Sequence, residues 1–108
     1  FAEKKNYSIV RDFCGHGLGK VFHDHPSVLH FGKPGEGELL QEGMFFTVEP
    51  MINIGDYRVK VLSDGWTAVT SDKSLSAQFE HTVGVTKTGY EIFTLSNKNY
   101  TFPPYKKK

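Results

Sequence analysis

Three of the five histidines in this 108-residue chain fall within one short stretch, Phe13-Cys14-Gly15-His16-Gly17-Leu18-Gly19-Lys20-Val21-Phe22-His23-Asp24-His25-Pro26. A lone histidine is most often a hydrogen-bonded structural residue. His16 differs, because the glycines on both sides clear space around its imidazole and let other groups approach the backbone. Two later segments each centre on a glutamate: Thr47-Val48-Glu49-Pro50 and Ser74-Leu75-Ser76-Ala77-Gln78-Phe79-Glu80-His81-Thr82-Val83. A glutamate inside an otherwise apolar strand is costly to bury unless it is paired, hydrogen-bonded or bound to a metal. Either one alone reads equally well as an exposed strand residue. Together, beside Phe45, Phe46 and Phe79, they read as candidate ligands.

One imidazole with several carboxylates is a hard-to-borderline donor set. It suits Mn, Fe(II), Co or Zn better than Cu(I), and a single cysteine argues against a structural zinc knot. Carboxylates can bridge two metals, and paired metals polarise a carbonyl and activate water. The residues alone therefore point to a metal hydrolase with an incomplete ligand set. Two decoys are weaker. Gly15-x-Gly17-x-Gly19 lacks the final two-residue gap of a dinucleotide-binding loop, and Pro26 forbids the long helix such a loop must start. His23 and His25, two apart after Gly17, resemble half of a cupin metal motif. Leu29 and His30 stand where that motif needs its glutamate, so a cupin-like reading would rest on His25 as a ligand.

The elements that must hold these residues are mostly strands. Phe1 to Asn6 reads as the last turn of a helix, with Lys4 and Lys5 suited to a helix C-terminus and Asn6 to the position after it. Tyr7 to Phe13 reads as a strand, and Val21-Phe22-His23 as extended chain. Pro34, Gly35 and Gly37 mark a loop, and Glu42-Gly43 a turn. Met44 to Glu49 reads as a strand with Phe45, Thr47 and Glu49 on one face. Pro50 biases Glu49 toward extended backbone and removes a donor, so the strand is at an edge or ends there. Tyr57–Leu62 and Trp66–Thr70 flank Ser63-Asp64-Gly65 as a hairpin. Gln78–Thr86 and Tyr90–Leu95 are further strands. Pro103-Pro104 and the closing lysines read as a flexible tail over residues 96–108. Strand-rich content with so little helix leaves one sheet face needing a covering layer. This, with the helix-end reading of residues 1–6, predicts that the chain is part of a larger domain.

Composition narrows the classes. The formal net charge of +1 is no nucleic-acid signature, and Lys106, Lys107 and Lys108 alone supply three of the 13 basic residues. One cysteine cannot form an internal disulfide. No apolar run approaches the roughly 20 residues of a membrane helix, and no signal peptide is visible. The expectations are a cytoplasmic location, no DNA and no membrane.

The motifs resemble those of type 1 methionine aminopeptidases. Phe13-Cys14-Gly15-His16-Gly17-Leu18-Gly19, then His23, then Val28-Leu29-His30-Phe31 are similar to the family signature. The likeness continues through Gly43-Met44-Phe45-Phe46-Thr47-Val48-Glu49-Pro50-Met51, Asp64-Gly65-Trp66-Thr67 and Ser74-Leu75-Ser76-Ala77-Gln78-Phe79-Glu80-His81-Thr82. The resemblance covers about Tyr7 to Leu95. It implies an α/β (α+β) fold: the C-terminal part of a pita-bread domain at 7–95, mainly curved antiparallel sheet. It implies removal of the initiator methionine from nascent proteins whose next residue is small, with the ribosome as a candidate partner and a monomeric parent enzyme.

The family holds two divalent metals (Co, Mn, Fe or Zn) with two aspartates, one histidine and two glutamates. His16, Glu49 and Glu80 resemble the last three: Glu80 as the bridging ligand, Glu49 as a ligand and general base. His23 resembles the histidine that contacts the substrate amide and steadies the tetrahedral intermediate, an oxyanion-stabilising role. Phe22 and Trp66 resemble residues lining the methionine pocket. Ser76 matches a position whose carbonyl faces a monovalent cation, and Cys14 matches a thiol near the site that is not a ligand. Only about 26 residues separate His23 from Glu49, too few for the inserted subdomain of the type 2 enzymes. The Ser-Leu-Ser-Ala-Gln-Phe-Glu-His-Thr string departs from prolidases and aminopeptidase P, which share the fold. The aspartate pair has no counterpart, since Asp12 and Asp24 lie too close to His16. The expectation is a C-terminal fragment, inactive alone. Another pita-bread peptidase (prolidase-like) or a non-enzymatic pita-bread binding module is the alternative.

Overall fold

A computed structural model describes residues 1–96. The chain opens on a 3₁₀ turn at Glu3–Lys5, closed by Asn6 in the left-handed region (φ 63°) with its N–H donating to the Glu3 carbonyl. Asparagine tolerates that conformation better than most residues. Strands follow: β1 (Ser8–Ile9), β2 (Gly15–Gly17), β3 (Asp24–Val28), β4 (Phe45–Val48), β5 (Met51–Asn53), β6 (Val59–Val61), β7 (Ala68–Thr70), β8 (Ser76–Gln78), β9 (His81–Thr86) and β10 (Gly89–Ile92). They form an antiparallel five-stranded sheet in the order β10-β9-β4-β2-β3, a three-stranded sheet β1-β5-β8 and the β6-β7 ribbon.

Two of these ladders are one ribbon interrupted by a window. β4 pairs with β9 from Phe45 opposite Gly84 to Val48 opposite His81. β5 pairs with β8 from Met51 opposite Gln78 to Asn53 opposite Ser76. The register on both sides is the same, so Glu49 lies opposite Glu80 and Pro50 opposite Phe79. Pro50 has no N–H to give the ladder, which is why pairing lapses there.

β2 and β3 contain the second irregularity. His16 is opposite Ser27 but Gly17 is opposite Asp24, so β3 carries extra residues and bulges. Bulges bend a strand and re-aim its side chains, and they recur beside active sites. Gly15 and Gly17 permit the close strand packing around His16. A Cβ on Gly15 would overlap the Thr47 carbonyl oxygen, and one on Gly17 the His25 carbonyl oxygen. Their role is thus strand approach, rather than room for the imidazole or a positive φ.

Several elements are shorter than their composition predicts. The apolar run 7–13 gives only β1, whose pairing with β5 ends as Val10 N–H donates to Met51 O at 3.1 Å. The chain must then turn to enter the other sheet. Residues 21–23 bend instead of extending, and β3 begins at Asp24. The Asp-Gly turn forms as its sequence predicts, with Gly65 at φ 68° and Asp64 Oδ1 accepting the Trp66 and Thr67 N–H groups. The reading of 96–108 as a flexible tail lies, beyond Ser96, outside the described residues.

Ile9, Val10 and Phe46 are the buried apolar residues among those described, while Leu39, Leu75, Tyr90 and Leu95 are exposed. So small a core leaves apolar sheet surface uncovered among the described residues. A groove of about 800 Å³ runs over this surface, lined in part by Ile9, Pro26, Val28, His30, Leu40 and Pro50. Among the described residues no helix is long and apolar enough to cross a membrane.

Candidate metal centre

The window in the ribbon and the bulge in β3 face the same point. A ring nitrogen of His16 and carboxylate oxygens of Glu49 and Glu80 all lie within 4.8 Å of one another. His16 is positioned by β2. Its main-chain N–H donates to Thr47 Oγ1 at 2.9 Å. The Thr47 hydroxyl has one proton, and it goes to Glu49 Oε1 at 2.7 Å rather than to the His16 carbonyl at 3.5 Å. Thr47 is 2% exposed, so both bonds are shielded from water. One buried hydroxyl therefore fixes a histidine on one strand against a glutamate on the next.

The orientation of the His16 ring is also fixed. Nδ1 lies 3.0 Å from the Gly17 carbonyl oxygen. A carbonyl can only accept, so Nδ1 carries a proton and Nε2 faces Glu49. The Nε2–Oε1 separation is 3.6 Å, too long for a strong hydrogen bond. Two donor atoms aimed at a common centre without bonding each other fit a shared cation. A metal-bound histidine characteristically gives its other N–H to a carbonyl in this way.

Two more contacts brace the backbone beside the carboxylates, and neither was legible as functional in the sequence. The Glu49 N–H donates to His30 Nε2 at 2.9 Å. Burial holds the His30 imidazole below its usual pKa, partly opposed by the negative charge of Glu49. Beside Glu80, Thr94 Oγ1 accepts the Thr82 N–H at 3.1 Å and lies 2.9 Å from His81 Nδ1. That ties the start of β9 to the chain following β10.

The other candidates divide. His23 lies beside the centre: its ring is 4.4 Å from that of His16, edge to face. Phe22 completes a three-ring cluster, 5.4 Å from His16 and 4.7 Å from His23. Phe22 is 71% exposed, so its ring is an open apolar wall. Trp66 sits just before β7 at 88% exposure and makes no ring contact with that cluster among the described residues. Ser76 begins β8 opposite Asn53, whose Oδ1 is buried without a hydrogen-bond partner among the described residues. Cys14 is half-buried as a free thiol. His25 turns away to Glu38, with Nε2 and Oε2 2.8 Å apart, and is not in the group of donors.

Known metallopeptidases resemble this chain over most of its length. Residues 1–87 match the model of metallopeptidase family M24. Methionine aminopeptidase of Rickettsia prowazekii is 66% identical over 107 residues, covering 97% of this chain and 41% of that protein. The Salmonella typhimurium enzyme of that name is 53% identical over 103 residues, covering 95% and 39%. The chain thus spans about two fifths of the length of the curated relatives it matches. Among solved structures, methionine aminopeptidase from Rickettsia prowazekii superposes with a TM-score of 0.84 at 67% identity, covering 87% of this chain and 38% of that one. The Thermotoga maritima enzyme gives 0.84 at 45% identity, covering 88% and 38%. The sheet with almost no helix is part of the pita-bread fold of those enzymes. With the donors gathered at the ribbon's window and most of its length matched, the chain belongs to metallopeptidase family M24.

Proposed function

We propose that this chain is the C-terminal part of a type 1 methionine aminopeptidase and forms one wall of its dinuclear metal site. The observation that carries the reading is the convergence of His16, Glu49 and Glu80, with Nε2 of His16 left facing the Glu49 carboxylate. That donor set fits divalent Co, Mn, Fe or Zn. His16 and Glu49 would serve one metal and Glu80 would bridge to a second. Two further carboxylates would come from chain beyond this sequence, because the group contains no aspartate. When bound, the metals supply Lewis acidity and activate water.

The protein side chains do the rest. Glu49 holds its carboxylate against Thr47 Oγ1–H, which leaves its other oxygen able to take a proton as general base. His23 stands beside the donors, where an imidazole N–H can bond the substrate's amide oxygen as negative charge develops. Phe22 offers an apolar surface to a methionine side chain, and Trp66 would add a second wall. The Ser76 carbonyl would face a monovalent cation. The substrates are protein N-termini beginning with methionine and a small residue, met in the cytoplasm as they leave the ribosome, by a monomeric enzyme.

The test is release of free methionine from Met-Ala-Ser and Met-Leu-Ser peptides by the full-length protein loaded with Mn²⁺. Turnover of the first and not the second is expected, and the 108-residue chain alone should turn over neither. A full-length protein that purifies without metal, ignores chelators and releases no methionine would be a binding module instead. Full activity from the 108-residue chain would overturn the divided site.

A further inference from the structure

We propose that His30 is a positioning residue for Glu49, standing in for a missing rung of the sheet. The inference deepens the proposed metal site and rests on that reading. Odd-numbered residues of β4 turn their main-chain groups toward β2: the Leu18 N–H donates to Phe45 O at 2.8 Å. By the strand's alternation the Glu49 N–H points the same way. β2 ends at Gly15, however, and Cys14, the next residue outward, is not in the ladder. A partly buried N–H without an acceptor costs about 1–3 kcal/mol.

His30 meets that need from two residues past the end of β3. Its Nε2 lies 2.9 Å from the Glu49 nitrogen. A main-chain nitrogen can only donate, so Nε2 is the acceptor and a neutral His30 carries its proton on Nδ1. Glu49 is thereby held at two points: its N–H by His30 and its Oε1 by Thr47. On the carboxyl side Pro50 has no N–H to anchor the chain further. Neither holding residue belongs to the donor group, but together they determine where the Glu49 carboxylate sits.

The experiment uses the full-length protein and reads Mn²⁺ affinity by calorimetric titration alongside peptide turnover. His30→Leu removes the acceptor. His30→Gln returns an oxygen to about the place of Nε2. Outer partners of ligands typically change metal affinity or activity by about 10–100-fold. His30→Leu should weaken Mn²⁺ binding by at least about 10-fold, and His30→Gln should return it to within about threefold of wild type. Unchanged affinity in His30→Leu, or equal loss in both variants, would overturn the proposal. So would a fall in the metal-free melting temperature with no change in affinity. A long-range ¹H–¹⁵N spectrum of the wild-type protein provides a test that does not depend on a variant folding. A neutral His30 with its proton on Nδ1 is expected, and a proton on Nε2 overturns the assignment. Should the protein bind Mn²⁺ with this dependence on His30 yet leave methionyl peptides intact, the functional reading fails while the positioning role stands.

Discussion

Replacing Thr47 with valine keeps the shape of the side chain and deletes the hydroxyl that joins β2 to the carboxylate of Glu49. The His16 N–H, 2.9 Å from that hydroxyl, loses its acceptor in a buried place. The penalty for an orphaned donor is about 1–3 kcal/mol. The bond to Glu49 Oε1, at 2.7 Å, is charge-assisted and contributes about 1.5–3 kcal/mol. Glu49 retains 17% side-chain exposure, so water recovers part of the second loss. The two effects share one hydroxyl and do not add fully, giving a net loss of about 2–4 kcal/mol. With a urea slope of about 2 kcal/mol/M, the unfolding midpoint should fall by about 1–2 M. Thr47→Ser keeps the hydroxyl and loses a methyl, so it should cost only about 1 kcal/mol. The assay is urea unfolding of the full-length protein without metal, paired with Mn²⁺ titration. The valine variant should also bind Mn²⁺ about 10–100-fold more weakly, because Glu49 is no longer oriented. A valine variant within about 0.5 kcal/mol of wild type, the ordinary scatter of surface substitutions, would refute the reasoning.

Three other outcomes follow from the same geometry. Gly17→Ala sets a Cβ against main-chain atoms of His25 and Pro26, which cannot swing aside, and should cost about 1–3 kcal/mol or more; Gly89→Ala, with nothing within 4 Å, should stay within about 0.5 kcal/mol. His23→Ala should lower kcat by about 10²–10³-fold, the size of losing one transition-state donor, while bound metal measured by atomic absorption holds; loss of metal would make His23 a ligand instead. Asp72 accepts N–H bonds from Asp56 and Ser74, and these hold its carboxyl down at about 2. Its folded pKa is below the unfolded one, so its contribution is present above about pH 4 and lost as pH falls toward about 2. The melting-temperature gap between wild type and Asp72→Asn should therefore narrow over that range, and a constant gap would refute the assignment.

The proposed ligand residues were legible because their surroundings were anomalous: a histidine between glycines, a glutamate before a proline in an apolar strand, a glutamate among aromatics. The Asp-Gly hairpin was legible because its turn chemistry is local. What joins the ligands was not. The pairing that puts Glu49 opposite Glu80 links strands separated by the hairpin, and no local periodicity encodes it. Thr47 reads as an ordinary β-former until its hydroxyl is seen between two strands. His30 could have been suspected only by asking which N–H groups near Pro50 lack a partner. Tyr7 to Phe13 has residues that suit a sheet, but only Ser8–Ile9 pair because the partner strand offers a short edge.

The shared register on both sides of the Glu49–Glu80 window has a consequence for how this chain can change over evolutionary time. The two carboxylates keep their opposition only while the ladders on both sides stay in step. One residue inserted into β4 or β9 would send one carboxylate to the opposite face of the sheet. Residues 55–74, by contrast, leave the ribbon beyond the bond from Ile54 N–H to Leu75 O, so their number does not enter the pairing. Length variation should therefore collect in that excursion and be excluded from the strands on either side of it. The same asymmetry marks where a tag or a binding loop could be inserted without moving His16, Glu49 or Glu80.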